Sequence, residues 1–177
     1  MKLPLLLPAF FTATLGFFLA APVHGQSSPG PSPHINDAQS RHHEGVDERG
    51  DKGMGFSHQL TGHHFYLYAD GGAIAVAANN PADTASRDAI RTHLASIARM
   101  FSEGNFAIPM FVHDTAPPGI ETMKQLRKDI SYVAEPNDSG ARVTIRTSNP
   151  KAVEAIHDFL RFQITEHRTG DTLEVKK

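Results

Sequence analysis

Residues 130–164 read ISYVAEPNDSGARVTIRTSNPKAVEAIHDFLRFQI, and this stretch decides the fold. Residues 130–134 and 143–147 are short runs rich in β-branched and aromatic residues, separated by the turn-forming sequence NDSG at 137–140. In the second run Val143 and Ile145 alternate with polar residues, which turns one face of a strand towards a core and the other towards water. The pattern predicts an antiparallel hairpin with one buried face.

A helix pattern completes the stretch. Asn149 and Pro150 form a typical helix start, an N-cap residue followed by a proline in the first turn. Apolar residues then recur at helical spacing, at Val153, Ile156, Leu160 and Ile164. Residues 130–164 thus predict a ββα unit whose helix packs on the apolar face of its own hairpin.

The same order of patterns occurs earlier in the chain. Two extended runs, residues 63–69 and 72–79, flank Asp70-Gly71, a dipeptide that favours a tight hairpin turn. Asn80-Pro81 then matches Asn149-Pro150 as a helix start. The apolar stripe that follows consists of Ile90, Leu94, Ile97 and Phe101, up to Gly104. We infer that the ββα unit is duplicated.

The duplication predicts the fold class. The expected fold is α+β, a two-layer sandwich in which four mainly antiparallel strands form one sheet and both long helices cover one face of it. Residues 106–119, between the two units, are predicted to form a proline-rich loop, and residues 120–128 a short helix.

The first residues have the features of a secretory signal peptide. Lys2 precedes an apolar run at residues 3–21, and small residues at 23–25 permit cleavage before Gln26. An uncleaved N-terminal anchor is the alternative. The expected organisation is a signal peptide at 1–25, a flexible polar leader at 26–61, a single α+β domain at 62–171 and a tail at 172–177. We therefore expect a periplasmic or secreted protein with no stable membrane insertion after cleavage.

Composition excludes several classes of function. The chain has 177 residues, no cysteine and a formal net charge of −2. Without cysteine there can be no disulfide, thiolate metal site or cysteine nucleophile, and the small negative charge gives no support to nucleic-acid binding. A glycine-rich phosphate loop and a GxSxG nucleophile motif are also absent from the sequence.

Histidine and methionine are the residues that suggest chemistry. The chain has 11 histidines and 5 methionines, and imidazole and thioether groups are the soft ligands left to a cysteine-free exported protein. We select His93, Met110, His113 and His157 as candidate metal ligands, with copper or zinc as the candidate cofactor. The alternative for His93 and His157 is that each lies at the margin of the core and hydrogen-bonds a backbone carbonyl.

His113 and Asp114, in the proline-rich loop, are also candidate catalytic residues, since rigid loops on a scaffold often carry function. The alternative is that this loop only packs onto the sheet and that His113 marks its exposed end. His63 and His64 are adjacent on a strand and therefore point to opposite faces, so at most one of them belongs to a site.

Tyr66 and Tyr68 share one face of the predicted sheet with Arg142 and Arg146. Such an aromatic and basic surface suits an anionic ligand or a homodimer contact through the open sheet face. An ordinary solvated face is the alternative.

Five short stretches resemble a family of small exported uncharacterised bacterial proteins. They are GMGFS (53–57), HHF (63–65), DGGAI (70–74), IARMF (97–101) and AIHDFLRFQI (155–164), and the resemblance covers residues 49–171. Some members are labelled aspartate carbamoyltransferase, but a carbamoyl phosphate site needs a Ser-Thr-Arg-Thr type phosphate cradle and two domains, neither of which this sequence has. The resemblance implies export and the extent of the domain, and it assigns no catalytic residue.

These observations favour an exported periplasmic binding protein that binds a transition metal through His and Met. The alternatives are a small enzyme that uses His113 and Asp114, and an interaction module that forms homodimers.

Overall fold

The computed structural model describes residues 33–176, with side chains from residue 37 onward. The predicted signal peptide and its cleavage site lie outside the described residues. The elements follow in the order α1 (Pro33–Met54), β1 (Thr61–Tyr68), β2 (Gly71–Ala78), α2 (Thr84–Ser102), α3 (Ala107–His113), α4 (Ile120–Gln125), a 3₁₀ turn (Arg127–Asp129), β3 (Ile130–Pro136), β4 (Gly140–Thr147) and α5 (Pro150–Glu166).

The four strands form one antiparallel sheet with the order β1-β2-β4-β3. Phe65 pairs with Ile74, which pairs with Val143, so these three side chains lie in one row on one face. The buried stripes of α2 and α5 belong to the same hydrophobic cluster as this row. The predicted two-layer α+β sandwich, with both long helices on one face, is confirmed.

The two helix starts differ more than the sequence suggests. Asn149 is the N-cap of α5 and accepts a hydrogen bond from the Lys151 amide, as predicted. The helix start predicted at Asn80-Pro81 is wrong, because α2 begins at Thr84 and Asp83 is its N-cap. Asn80 instead closes a turn by accepting from the Ala82 amide. Similar dipeptides thus serve different local structures in the two units.

The prediction of a flexible polar leader at residues 26–61 is wrong where the structure describes it. Residues 33–54 form α1, although Val46, at 1% exposure, is the only fully buried large apolar residue among residues 37–54. Polar contacts distant in sequence hold this helix: Arg49 Nε donates to the Val112 carbonyl at 2.8 Å, and Arg168 pairs with Asp47 at 2.9 Å. Such contacts leave no periodic pattern in the sequence of α1.

The proline-rich segment is also more ordered than the sequence predicts. Residues 107–113 form α3 within the predicted loop. Pro109 is the third residue of α3, where a missing amide N–H loses no hydrogen bond of the helix. The predicted short helix at 120–128 is present as α4 followed by the 3₁₀ turn.

The predicted tail is partly ordered at its end. The Lys176 amide donates to the Leu67 carbonyl at 2.9 Å and forms a parallel bridge beside Tyr68. Residue 176 therefore covers part of the outer edge of β1. No helix within residues 33–176 is long and apolar enough to cross a membrane.

Candidate functional site

A cavity of about 70 Å³ lies between the sheet, α2, α3 and α5. It is larger than the roughly 10–15 Å³ that a single water needs. Most of its wall is formed by aliphatic and aromatic side chains of the core. The polar or polarisable groups on its wall are Met54, His63, His93, His113, Gln163 and His167.

Different elements bring these groups together. Met54 is the last residue of α1, His113 is the last residue of α3, and His167 is the C-cap of α5. His63 pairs with Val76 on the core face of the sheet, while its neighbour His64 lies exposed on the other face. Several ligand-type side chains of the cavity thus lie at the ends of helices. The periodicity of apolar residues within one helix does not predict where its end lies relative to the end of another.

The side chains form a continuous row. His63 Nε2 lies 3.1 Å from the sulfur of Met54. The ring of His63 is nearly parallel to that of His167, with centroids 5.7 Å apart, and the His113 ring follows at 5.0 Å from His167. The Phe56 ring contacts both His63 and His93, with its centroid 6.2 and 5.7 Å from those of the two imidazoles.

Burial keeps these imidazoles neutral. Desolvation lowers the pKa of His63 and of His93 to about 4, and that of His167 to about 3, from the usual 6.5. Burial also lowers the pKa of His113. A neutral imidazole keeps one nitrogen lone pair, so each of the four rings can act as a ligand at neutral pH.

His113 has an unused nitrogen. Its Nε2 donates to the Gln163 side-chain oxygen at 3.0 Å, which leaves the lone pair on Nδ1. Nδ1 is buried and has no hydrogen-bond partner, and the nearest carboxylate oxygen, Glu166 Oε2, lies 3.7 Å away. An unpaired buried polar atom costs free energy unless a ligand or water contacts it.

The arrangement is not a preassembled metal site. Among the residues that the structure describes, no group of three or more His, Asp or Glu side chains is arranged to hold a metal ion. Metal binding therefore requires the imidazoles to rotate towards a common point in the cavity.

The structure brings two of the four predicted ligands to the cavity and places the other two elsewhere. His93 and His113 both line the cavity. Met110 is outside its lining and is 38% exposed. His157 lies near the other end of β1, where its Nε2 donates to the carbonyls of Tyr68 at 2.8 Å and Gly71 at 3.1 Å. For His157 the alternative of a core-margin histidine bonded to backbone therefore holds.

His157→Ala should destabilise the protein by about 2–4 kcal/mol, because two hairpin carbonyls lose their donor and a small void is left. Chemical denaturation followed by circular dichroism measures this loss. The variant should bind metal as the wild type does, since His157 does not line the cavity. Unchanged stability would contradict the structural role of His157.

Met54, His63 and His167 were not among the predicted ligands. Met54 lies in the segment predicted to be a flexible leader, so no sequence pattern places it against the core. The alternation along β1 shows that His63 and His64 face opposite sides of the sheet. It is the only sequence feature that restricts a site to one of these two histidines.

The predicted catalytic pair does not share a site. His113 is 2% exposed, whereas Asp114 is exposed and ends α3 in a left-handed conformation with φ 52°. The enzyme hypothesis stays a prediction without support from the geometry of these two residues.

The open sheet face carries the predicted aromatic and basic residues. The Arg142 guanidinium lies 5.3 Å from the centre of the Tyr66 ring and 5.5 Å from that of Tyr68, and Lys176 Nζ lies 4.0 Å from that of Tyr66. Arg146 pairs with Asp70. Cations of the same chain therefore cover both rings, and the homodimer through this face stays a prediction.

No family model matches the chain, and neither a curated protein nor a solved structure is significantly similar to it. The resemblance of residues 49–171 to a family of exported bacterial proteins therefore stays a prediction.

Proposed function

We propose that this protein is an exported, periplasmic binding protein for a single soft transition metal ion, with copper(I) as its ligand. The observation that carries the proposal is the contact of 3.1 Å between the Met54 sulfur and His63 Nε2, in a cavity lined by three further imidazoles. Thioether and imidazole are ligands that suit copper(I). His93, His113 and His167 supply the remaining donors after rotation.

The charge of the cavity favours copper(I) over zinc(II). No carboxylate is among the described residues that line the cavity, and burial keeps all four imidazoles neutral. A buried divalent ion without an anionic partner has a higher desolvation cost than a monovalent one. The absence of cysteine suits an oxidising compartment, where thioether and imidazole replace thiolate as soft ligands.

Anaerobic titration of the purified protein with copper(I), against a competing chromophoric chelator, tests the proposal. We expect a dissociation constant below about 1 μM for the wild type. His63→Leu should weaken binding by about 100-fold, which corresponds to about 2.7 kcal/mol. Zinc(II) in the same assay should bind more weakly than copper(I).

His64→Leu is the matched control. His64 is the next residue of β1, lies on the opposite face of the sheet and contacts Asp171 rather than the cavity. This variant should bind copper(I) within about 3-fold of the wild type. The proposal fails if the wild type binds no metal more tightly than about 1 mM, or if the two variants lose affinity equally.

A further inference from the structure

Glu166 links the cavity to the protein surface. Its Oε2 lies 2.7 Å from His42 Nε2, and the same oxygen lies 3.7 Å from the unpaired Nδ1 of His113. The His42 side chain is 45% exposed, that of Glu166 is 18% exposed and that of His113 is 1% exposed. Ligand atoms on α1, α5 and α3 thus follow one another from solvent towards the core.

From His113 the row of side chains continues into the cavity. The His113 ring is 5.0 Å from that of His167, which is 5.7 Å from that of His63, and His63 contacts Met54. Each step is short enough for an ion to gain its next ligand by a side-chain rotation before it loses the previous one. His93 lies beside this row, where its ring is 5.7 Å from that of Phe56, which in turn is 6.2 Å from that of His63.

We infer that His42 and Glu166 form a capture site for copper(I), from which the ion passes through His113 to the cavity. The inference rests on the proposed function. A carboxylate at the surface attracts the cation and compensates its charge while water ligands are lost. The nearby Arg168 does not cancel this charge, because it pairs with Asp47 at 2.9 Å.

The capture site differs from the cavity in what it contributes. His42 and Glu166 are not part of the cavity lining. They should therefore set how fast copper(I) reaches the cavity, and they should have little effect on how tightly the loaded protein holds it. Loss of a capture site slows loading and release together, so the equilibrium constant changes little.

Stopped-flow transfer of copper(I) from its bicinchoninate complex to the purified protein measures loading, because the coloured donor complex bleaches. We expect His42→Ala and Glu166→Gln each to slow loading by about 10-fold or more, with the equilibrium affinity within about 3-fold of the wild type. His43→Ala is the matched control, since His43 is the next residue of α1, packs its ring 5.6 Å from that of His42 and, unlike His42, forms no hydrogen bond with Glu166. It should load at the wild-type rate.

Loading of His42→Ala at the wild-type rate, or equal slowing of His43→Ala, would overturn the capture site while leaving the metal-binding proposal intact. Failure of the wild type to bind copper(I) more tightly than about 1 mM in the titration would overturn both. A large loss of equilibrium affinity in His42→Ala would show that His42 holds the bound ion, which also contradicts the inference.

Discussion

Acidification from pH 7 to pH 5 should lower the free energy of unfolding of the metal-free protein by about 5 kcal/mol. Three partly buried histidines cause most of this loss. Their pKa values in the folded protein are about 4 for His63, about 4 for His93 and about 3 for His167, against 6.5 when exposed. A loss of this size approaches the whole stability of an ordinary domain.

The direction follows from the protons that each state binds. Between pH 6.5 and pH 4 the unfolded chain protonates these imidazoles while the folded protein keeps them neutral, so the unfolded state binds more protons. Stability therefore rises with pH in this window. The free energy of unfolding is highest above pH 6.5, where the imidazoles are neutral in both states. It declines as the pH falls, by up to about 1.4 kcal/mol per pH unit for each histidine. Carboxylates titrate mainly below about pH 5.

Urea unfolding at half-unit steps from pH 7.5 to pH 5, followed by circular dichroism, measures the effect. His63→Leu should reduce the slope by about one third, because one of the three titrating groups is removed. His64→Leu, on the exposed face of the same strand, should keep the wild-type slope. A stability that does not change between pH 7 and pH 5 would contradict the burial of the histidine row.

Gly119→Ala should destabilise the protein by about 3–5 kcal/mol. Gly119 precedes α4 with a φ of 82°, which L residues with a side chain rarely adopt. A β-carbon there would lie 2.1 Å from the backbone oxygen of Ala155 in α5. Because that neighbour is backbone, α4 and α5 must move apart to accept a methyl group.

Gly55→Ala separates the cost of the positive φ from the cost of the close approach to α5. Gly55 has a φ of 79°, but a β-carbon there would meet nothing within 4 Å. Its substitution should cost only about 1–2 kcal/mol, the conformational part of the penalty. Denaturation of both variants at pH 7.5 compares them directly. Equal losses would contradict the close approach of α4 and α5 at Gly119.

The part of the candidate site that the sequence predicts follows from the alternation of residues along a strand and from the spacing of apolar residues along a helix. The period of two along β1 separates His63 from His64, and the helical spacing in α2 places His93 beside its apolar stripe. No such rule connects His113 with His167, because one ends a seven-residue helix and the other caps a helix more than fifty positions later. Their contact depends on how α3 packs against α5.

The sequence by itself determined the two hairpins, the two long helices and their common face, because each follows from the periodicity of apolar residues within one segment. Only the tertiary structure decided that α1 is a helix, that Met54 reaches His63, and that His157 binds hairpin carbonyls instead of a metal. These features depend on pairs of atoms far apart in the chain, such as Arg49 with Val112 and His42 with Glu166. The energies of such contacts are set by distance and burial, which no local pattern encodes.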